Sequence, residues 1–124
     1  MRSASHSPER QRLPNRRPGL TVVRPFDPQG ANGPECRITV GLNGARQPLE
    51  VFIHTPREDS AVGRIVDDAA ILFSLALQYG VPAARIAASL GSTADGKRVS
   101  IIGEAADAVV EVGREIAMAG GAAE

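Results

Sequence analysis

Cysteine is nearly absent from this chain of 124 residues, and so are aromatics: there is one cysteine, no tryptophan, one tyrosine and three phenylalanines. A lone Cys36 excludes an internal disulfide, a zinc ribbon and a two-cysteine redox centre, and points to a reducing, cytoplasmic compartment. With so few rings the core must be aliphatic, and a stacking platform for single-stranded nucleic acid is not expected. Net charge is also missing, because 14 Lys and Arg balance 14 Asp and Glu, so no global field draws the chain to a polyanion. Long apolar runs are absent as well. The longest nearly uncharged stretch, residues 69–77, is far too short to span a bilayer, and no apolar segment follows the basic start before Leu20, so neither a membrane nor a signal peptide is expected. No glycine-rich phosphate loop, Ser/His/Asp pattern or paired-cysteine spacing occurs. No catalytic or metal-binding residue is assigned.

The charge balance hides an asymmetry. Residues 1–33 carry six arginines (Arg2, Arg10, Arg12, Arg16, Arg17, Arg24) against Glu9 and Asp27, which leaves the remainder acidic. Residues 1–19 hold Pro8, Pro14 and Pro18 among Ser, Arg and Asn, with Leu13 as the one large aliphatic, too little to offset ordering entropy. They are expected to form a disordered arm ahead of one domain over 20–118, with a frayed tail at 119–124.

Within the domain the period of the apolar residues changes from two to 3.6. Residues 20–24 (Leu-Thr-Val-Val-Arg) form a short β-branched run stopped by Pro25, and 29–34 read as a loop. Arg37-Ile-Thr-Val alternates, 41–44 (Gly-Leu-Asn-Gly) tolerates positive φ, and Leu49-Glu-Val-Phe-Ile-His is again strand-like, which makes a β-hairpin. Either Val51 and Ile53 or Glu50, Phe52 and His54 face the core. Asp59 or Ser60 then caps a helix running to Tyr79, with Val62, Ile65, Val66, Ala69, Leu72, Phe73, Ala76 and Leu77 as its inward stripe and Gly80 as its left-handed C-cap. Pro82 fits the first position of a second helix ending at Leu90, and Glu104 to Met118 a third, with Ala105, Ala108, Val109, Val112 and Ile116 inward. The expected fold is α+β: a β-hairpin or three-stranded antiparallel meander followed by three helices, in a single domain.

Candidate functional residues are few. On the long helix, Ile71 and Leu75 continue the polar side of Arg64, Asp67 and Asp68 as apolar residues, so that side is either covered by the later helices or forms an interface. Asp67 and Asp68 are adjacent and diverge on a helix, so they read as a solvated face, with Arg64 one turn before Asp68 as an ion-pair partner. Glu50 and His54 share a strand face but make half a metal site at best. Cys36 reads as a core or edge residue. Ser60, Gly63 and Arg64 at the helix start offer free amides and a cation, a candidate anion site.

The runs Glu50-Val-Phe-Ile-His-Thr, Asp59-Ser-Ala-Val-Gly-Arg-Ile-Val-Asp-Asp-Ala and Ser74-Leu-Ala-Leu-Gln-Tyr-Gly-Val-Pro resemble the small C-terminal domain of adenosylcobalamin-dependent (class II) ribonucleotide reductases, which also exists as short stand-alone bacterial proteins. The likeness covers roughly residues 33–116. The domain is known by a Thr-Ser-Cys-Pro-Asp signature, but here Val99-Ser-Ile-Ile-Gly-Glu stands in its place and keeps the serine alone. The resemblance implies an accessory or regulatory role in deoxyribonucleotide synthesis, exercised by binding. It implies adenosylcobalamin for a full-length relative and no cofactor for this chain, whose single cysteine cannot supply a radical thiol and a reducing pair. The expected partner is a reductase chain or a second copy of this chain. The alternatives are a nucleic-acid-associated protein that neutralises phosphates with the arginine arm, and a nucleotide-binding module built on the start of the long helix.

Overall fold

The computed structural model describes residues 9–14, 18–25, 35–55 and 60–123. The expectations for residues 1–8, 15–17, the 29–34 loop and the alternative cap Asp59 lie outside them. Three strands, β1 (Gly19–Pro25), β2 (Glu35–Leu42) and β3 (Pro48–His54), form an antiparallel meander in the order β1-β2-β3, followed by helices α1 (Ala61–Gln78), α2 (Ala83–Ser89) and α3 (Ile101–Ala123).

Register fixes which strand residues reach the core. Ile38 pairs with Ile53 and Val40 with Val51, and with Cys36, Leu42 and Leu49 they form the buried face of the sheet. Glu50, Phe52 and His54 take the opposite face, which is open. The β2–β3 connection is built on Asn43, whose Oδ1 accepts the amides of Ala45 and Gln47 at 3.0 and 2.8 Å. Its left-handed residue is Arg46 at φ 63° and not Gly44, because the side-chain bonds of Asn43 set the turn two residues later.

α3 packs its small residues on the sheet. Ala105, Ala106, Ala108 and Val109 are fully buried, and short side chains let the helix backbone approach the strands closely. The helix starts at Ile101, three residues before the expected Glu104, since the Ser100 hydroxyl accepts the Gly103 amide at 3.3 Å and so caps it. It also runs through Ala123, so residues 119–123, expected to fray, are helical; alanines there favour continuation despite two glycines. Pro82 is the N-cap of α2, one position earlier than expected, with ψ 139° outside the helical range.

α1 ends in a Schellman motif. The Gly80 amide bonds Leu77 O and the Val81 amide bonds Ala76 O, each at 3.0 Å, with Gly80 at φ 95°. Its inward face differs from the expected stripe. Val66, Phe73 and Leu77 are buried as expected, but Val62, Ile65 and Leu72 are each 68% exposed, while Ser74 and Gln78 are buried in their stead. The reason lies at the sheet edge.

Candidate functional site

β3 is an edge strand whose outward backbone groups need partners. α1 lies along that edge and supplies them from side chains. Ser74 Oγ accepts the Val51 amide at 2.9 Å and donates to Val51 O at 3.2 Å, and Gln78 Nε2 donates to Leu49 O at 3.0 Å. These two polar residues, one turn apart, act in place of a fourth strand. The other end of the Gln78 amide holds the arm: Arg10 Nε donates to Gln78 Oε1 at 2.5 Å, and the Gln11 amide to Gln78 O at 2.7 Å. Leu13 is half-buried against the core. Residues 9–14, within the segment expected to be disordered, are therefore docked on the body, because one aliphatic side chain and two hydrogen bonds find ready partners there.

Between this edge and the open face of β3 runs a groove of about 330 Å³, bordered by Arg10, Glu50, Phe52, His54, Asp67, Ile71 and Leu75 among others. It unites residues that the sequence singles out separately. Ile71 (57% exposed) and Leu75 (half-buried) give it an apolar wall, and neither is covered by α2 or α3 in full. Phe52 forms the facing wall at 45% exposed. Glu50 lies over Gly41, where a β-carbon would come within 2.7 Å of its Oε1, so the bare backbone at 41 is what makes room for that carboxylate. Among the described residues no three His, Cys, Asp or Glu side chains converge on a point that would hold a metal ion.

The other candidates are not brought there. At the start of α1 the Ser60 hydroxyl accepts the Gly63 amide and the Ser60 carbonyl the Arg64 amide, each at 3.0 Å, and Gly63 is buried. The Gly63 amide is thus taken by the Ser60 side chain, and the Arg64 amide makes the first bond of the helix ladder. Arg64, Asp67 and Asp68 are exposed, and the ion pairs between described residues include Arg24–Glu111 and Arg98–Asp107 but not Arg64–Asp68. Cys36 is buried in the sheet face of the core, and burial pushes its thiol up from the ordinary value, away from the reactive thiolate.

A second polar construction holds α2 to α3. Arg98 forms a bidentate pair with Asp107 (Nε to Oδ2 at 2.9 Å, NH2 to Oδ1 at 2.7 Å), and its NH1 donates to Leu90 O at 3.0 Å. Those hydrogen bonds hold the Asp107 carboxyl below the usual carboxylate range and push the guanidinium still higher. The stem of Arg98 crosses Gly103, where an added β-carbon would lie 2.9 Å from Arg98 Cδ. Sequence reasoning missed Ser74, Gln78, Arg10, Arg98 and Asp107. A signal existed for the first two, polar residues four apart inside an apolar helix; none existed for the last pair, which a connection and a helix start separate.

Comparison with known proteins bears on these same elements. The chain is 40% identical over 77 residues to a vitamin B12-dependent ribonucleotide reductase of Rhodopirellula baltica, covering 62% of this chain and 7% of that protein. It is 37% identical over 76 residues to a vitamin B12-dependent ribonucleotide reductase of Agrobacterium fabrum, covering 61% of this chain and 6% of that one. The chain thus spans less than a tenth of the length of these curated relatives. No solved structure matches. The TSCPD domain matches residues 9–116, from the docked arm through all three strands, α1 and α2 to the buried length of α3. With every element of the core inside that match, the chain belongs to the TSCPD domain family.

Proposed function

We propose that this domain serves deoxyribonucleotide synthesis as an accessory or regulatory module, binding a vitamin B12-dependent ribonucleotide reductase and not turning over substrate itself. The observation that carries this reading is the 40% identity to such a reductase, confined to a segment that is 7% of the reductase's length. A segment of that size brings a binding surface and leaves the reaction to the rest of the relative. The groove between β3 and α1 is the surface we assign to it. It is concave, apolar on two walls and rimmed by charge, the composition that suits a docked peptide segment or loop.

The test uses the purified chain and an adenosylcobalamin-dependent reductase from the same organism. Retention of the reductase on the immobilised chain, weakened at least about tenfold by Phe52→Glu or Ile71→Glu, is the expected result. Both side chains are about half exposed, so circular dichroism should confirm that the variants fold. Equal retention by the wild type and both variants would remove the groove from the reading, and no retention together with unaltered reductase turnover would remove the reading itself.

A further inference from the structure

The exposed side of α1 carries a pattern that the groove does not use. Val62, Ile65, Ala69, Leu72, Ala76 and Tyr79 follow one another at spacings of 3, 4, 3, 4 and 3, the heptad a/d repeat of a helix that pairs with another helix. In a solitary domain this stripe faces water. Val62, Ile65 and Leu72 are 68% exposed and Tyr79 is 48% exposed, over a length of about 26 Å. A contiguous apolar row of this kind is rare on a monomer surface.

We infer that α1 pairs with α1 of a second copy of this chain, antiparallel about a two-fold axis that passes between Ala70 and Ile71. That register sets Ile65 against Ala76 of the second copy, Ala69 against Leu72, and Val62 against Tyr79, so each layer matches a larger side chain with a smaller one. A parallel pair in register sets alanine against alanine at 69 and 76 and leaves gaps between the bulky Ile65 and Leu72 layers, which forfeits dispersion contacts. The helix ends argue for the same direction. α1 has no acidic residue in its first turn and no basic residue in its last, so its dipole is uncompensated by side chains, and an antiparallel neighbour sets opposite ends side by side. The two-fold arrangement is isologous and closes, which gives a dimer and no filament. A seam of this length lies at the small end of specific interfaces, below about 1,200 Å², so the dimer forms and dissociates with concentration. Ile71 lies on the other flank of the helix, in the groove, and is outside the seam; the inference does not depend on the reductase reading.

Sedimentation equilibrium of the full chain over roughly a hundredfold range of concentration should show a monomer–dimer equilibrium. Ile65→Glu and Ala76→Lys should each shift the dissociation constant up by at least about tenfold, while Ile71→Glu leaves it unchanged. Combining Ile65→Glu with Ala76→Lys should restore dimerisation relative to either alone, since the antiparallel register brings the two charges together twice. In a parallel pair the same combination opposes like charges. A wild type that remains monomeric, a dimer that Ile71→Glu dissociates, or a double variant no better than the singles would overturn the inference. Circular dichroism on each variant separates loss of pairing from loss of fold.

Discussion

On the side of α1 that meets β3, Ser74 and Gln78 are 9% and 3% exposed; on its far side Ile65 and Leu72 are 68% exposed. Hydropathy alone would have placed Ile65 and Leu72 inside and Ser74 and Gln78 outside. The inward side contains polar groups because an edge strand presents amides and carbonyls that only polar side chains can satisfy, and a bonded hydroxyl or amide is tolerated in a core where a bare one is not. Burial on this helix therefore follows the chemistry of what lies opposite. The apolar side has nothing opposite it among the described residues.

That contrast is most exposed to failure at two neighbouring residues. Phe73 is buried and Leu72 is not, so Phe73→Ala should cost about 3–5 kcal/mol in denaturant unfolding, whereas Leu72→Ala, measured on dilute protein, should stay within about 0.5 kcal/mol. Similar losses at both positions would show that the two sides of α1 are not different environments. A smaller effect probes the polar inward side. Ser74→Ala leaves the Val51 amide and carbonyl without their partner and should destabilise by about 1–3 kcal/mol, even though alanine is the better helix former by about 0.5 kcal/mol. A neutral or stabilising outcome would mean that water reaches the β3 edge and that Ser74 is dispensable there.

The smallest expected effect sharpens the comparison by setting the neutral Ser74 contact beside the ionic one at Arg98. Asp107 titrates below its ordinary value in the folded chain because Arg98 bonds its charged form. Its contribution is fully present above the ordinary carboxylate value of about 3.9 and is lost as pH falls through the lowered folded value. Wild type should therefore lose more stability than Arg98→Met on acidification from about pH 5 to 2, by under about 1 kcal/mol since Asp107 is partly exposed, and by less in high salt. The destabilisation caused by Ser74→Ala should carry no such dependence.

Much of the fold was legible in the residues. The alternation in β2 and β3, the Ser60 and Gly80 ends of α1 and the small-residue face of α3 were each readable from local rules, and they led to the meander and its three helices. The faces of α1 were less so. Its apolar residues cover a wide arc, and a 3–4 spacing runs through both halves of that arc, so periodicity could not say that Val66, Phe73 and Leu77 turn inward while Val62, Ile65 and Leu72 turn away. The groove was legible only as scattered residues. Ile71 and Leu75 stood out, but their meeting with Phe52, His54 and Arg10 depends on how α1 lies against an edge strand, and the docking of residues 9–14 depends on a Gln78 amide that is itself positioned by Leu49.

The passage of the Arg98 stem over Gly103 has an evolutionary consequence. A β-carbon at 103 would stand 2.9 Å from Arg98 Cδ and 3.1 Å from its Cβ, so the two positions are not free to drift independently. A lineage that acquires alanine at 103 must displace the stem of Arg98, which strains both hydrogen bonds to Asp107 and the tie to Leu90. Arginine at 98, glycine at 103 and aspartate at 107 should then be inherited or lost as a set. In a descendant that has lost them, some other device must hold the segment leading into α3 against that helix.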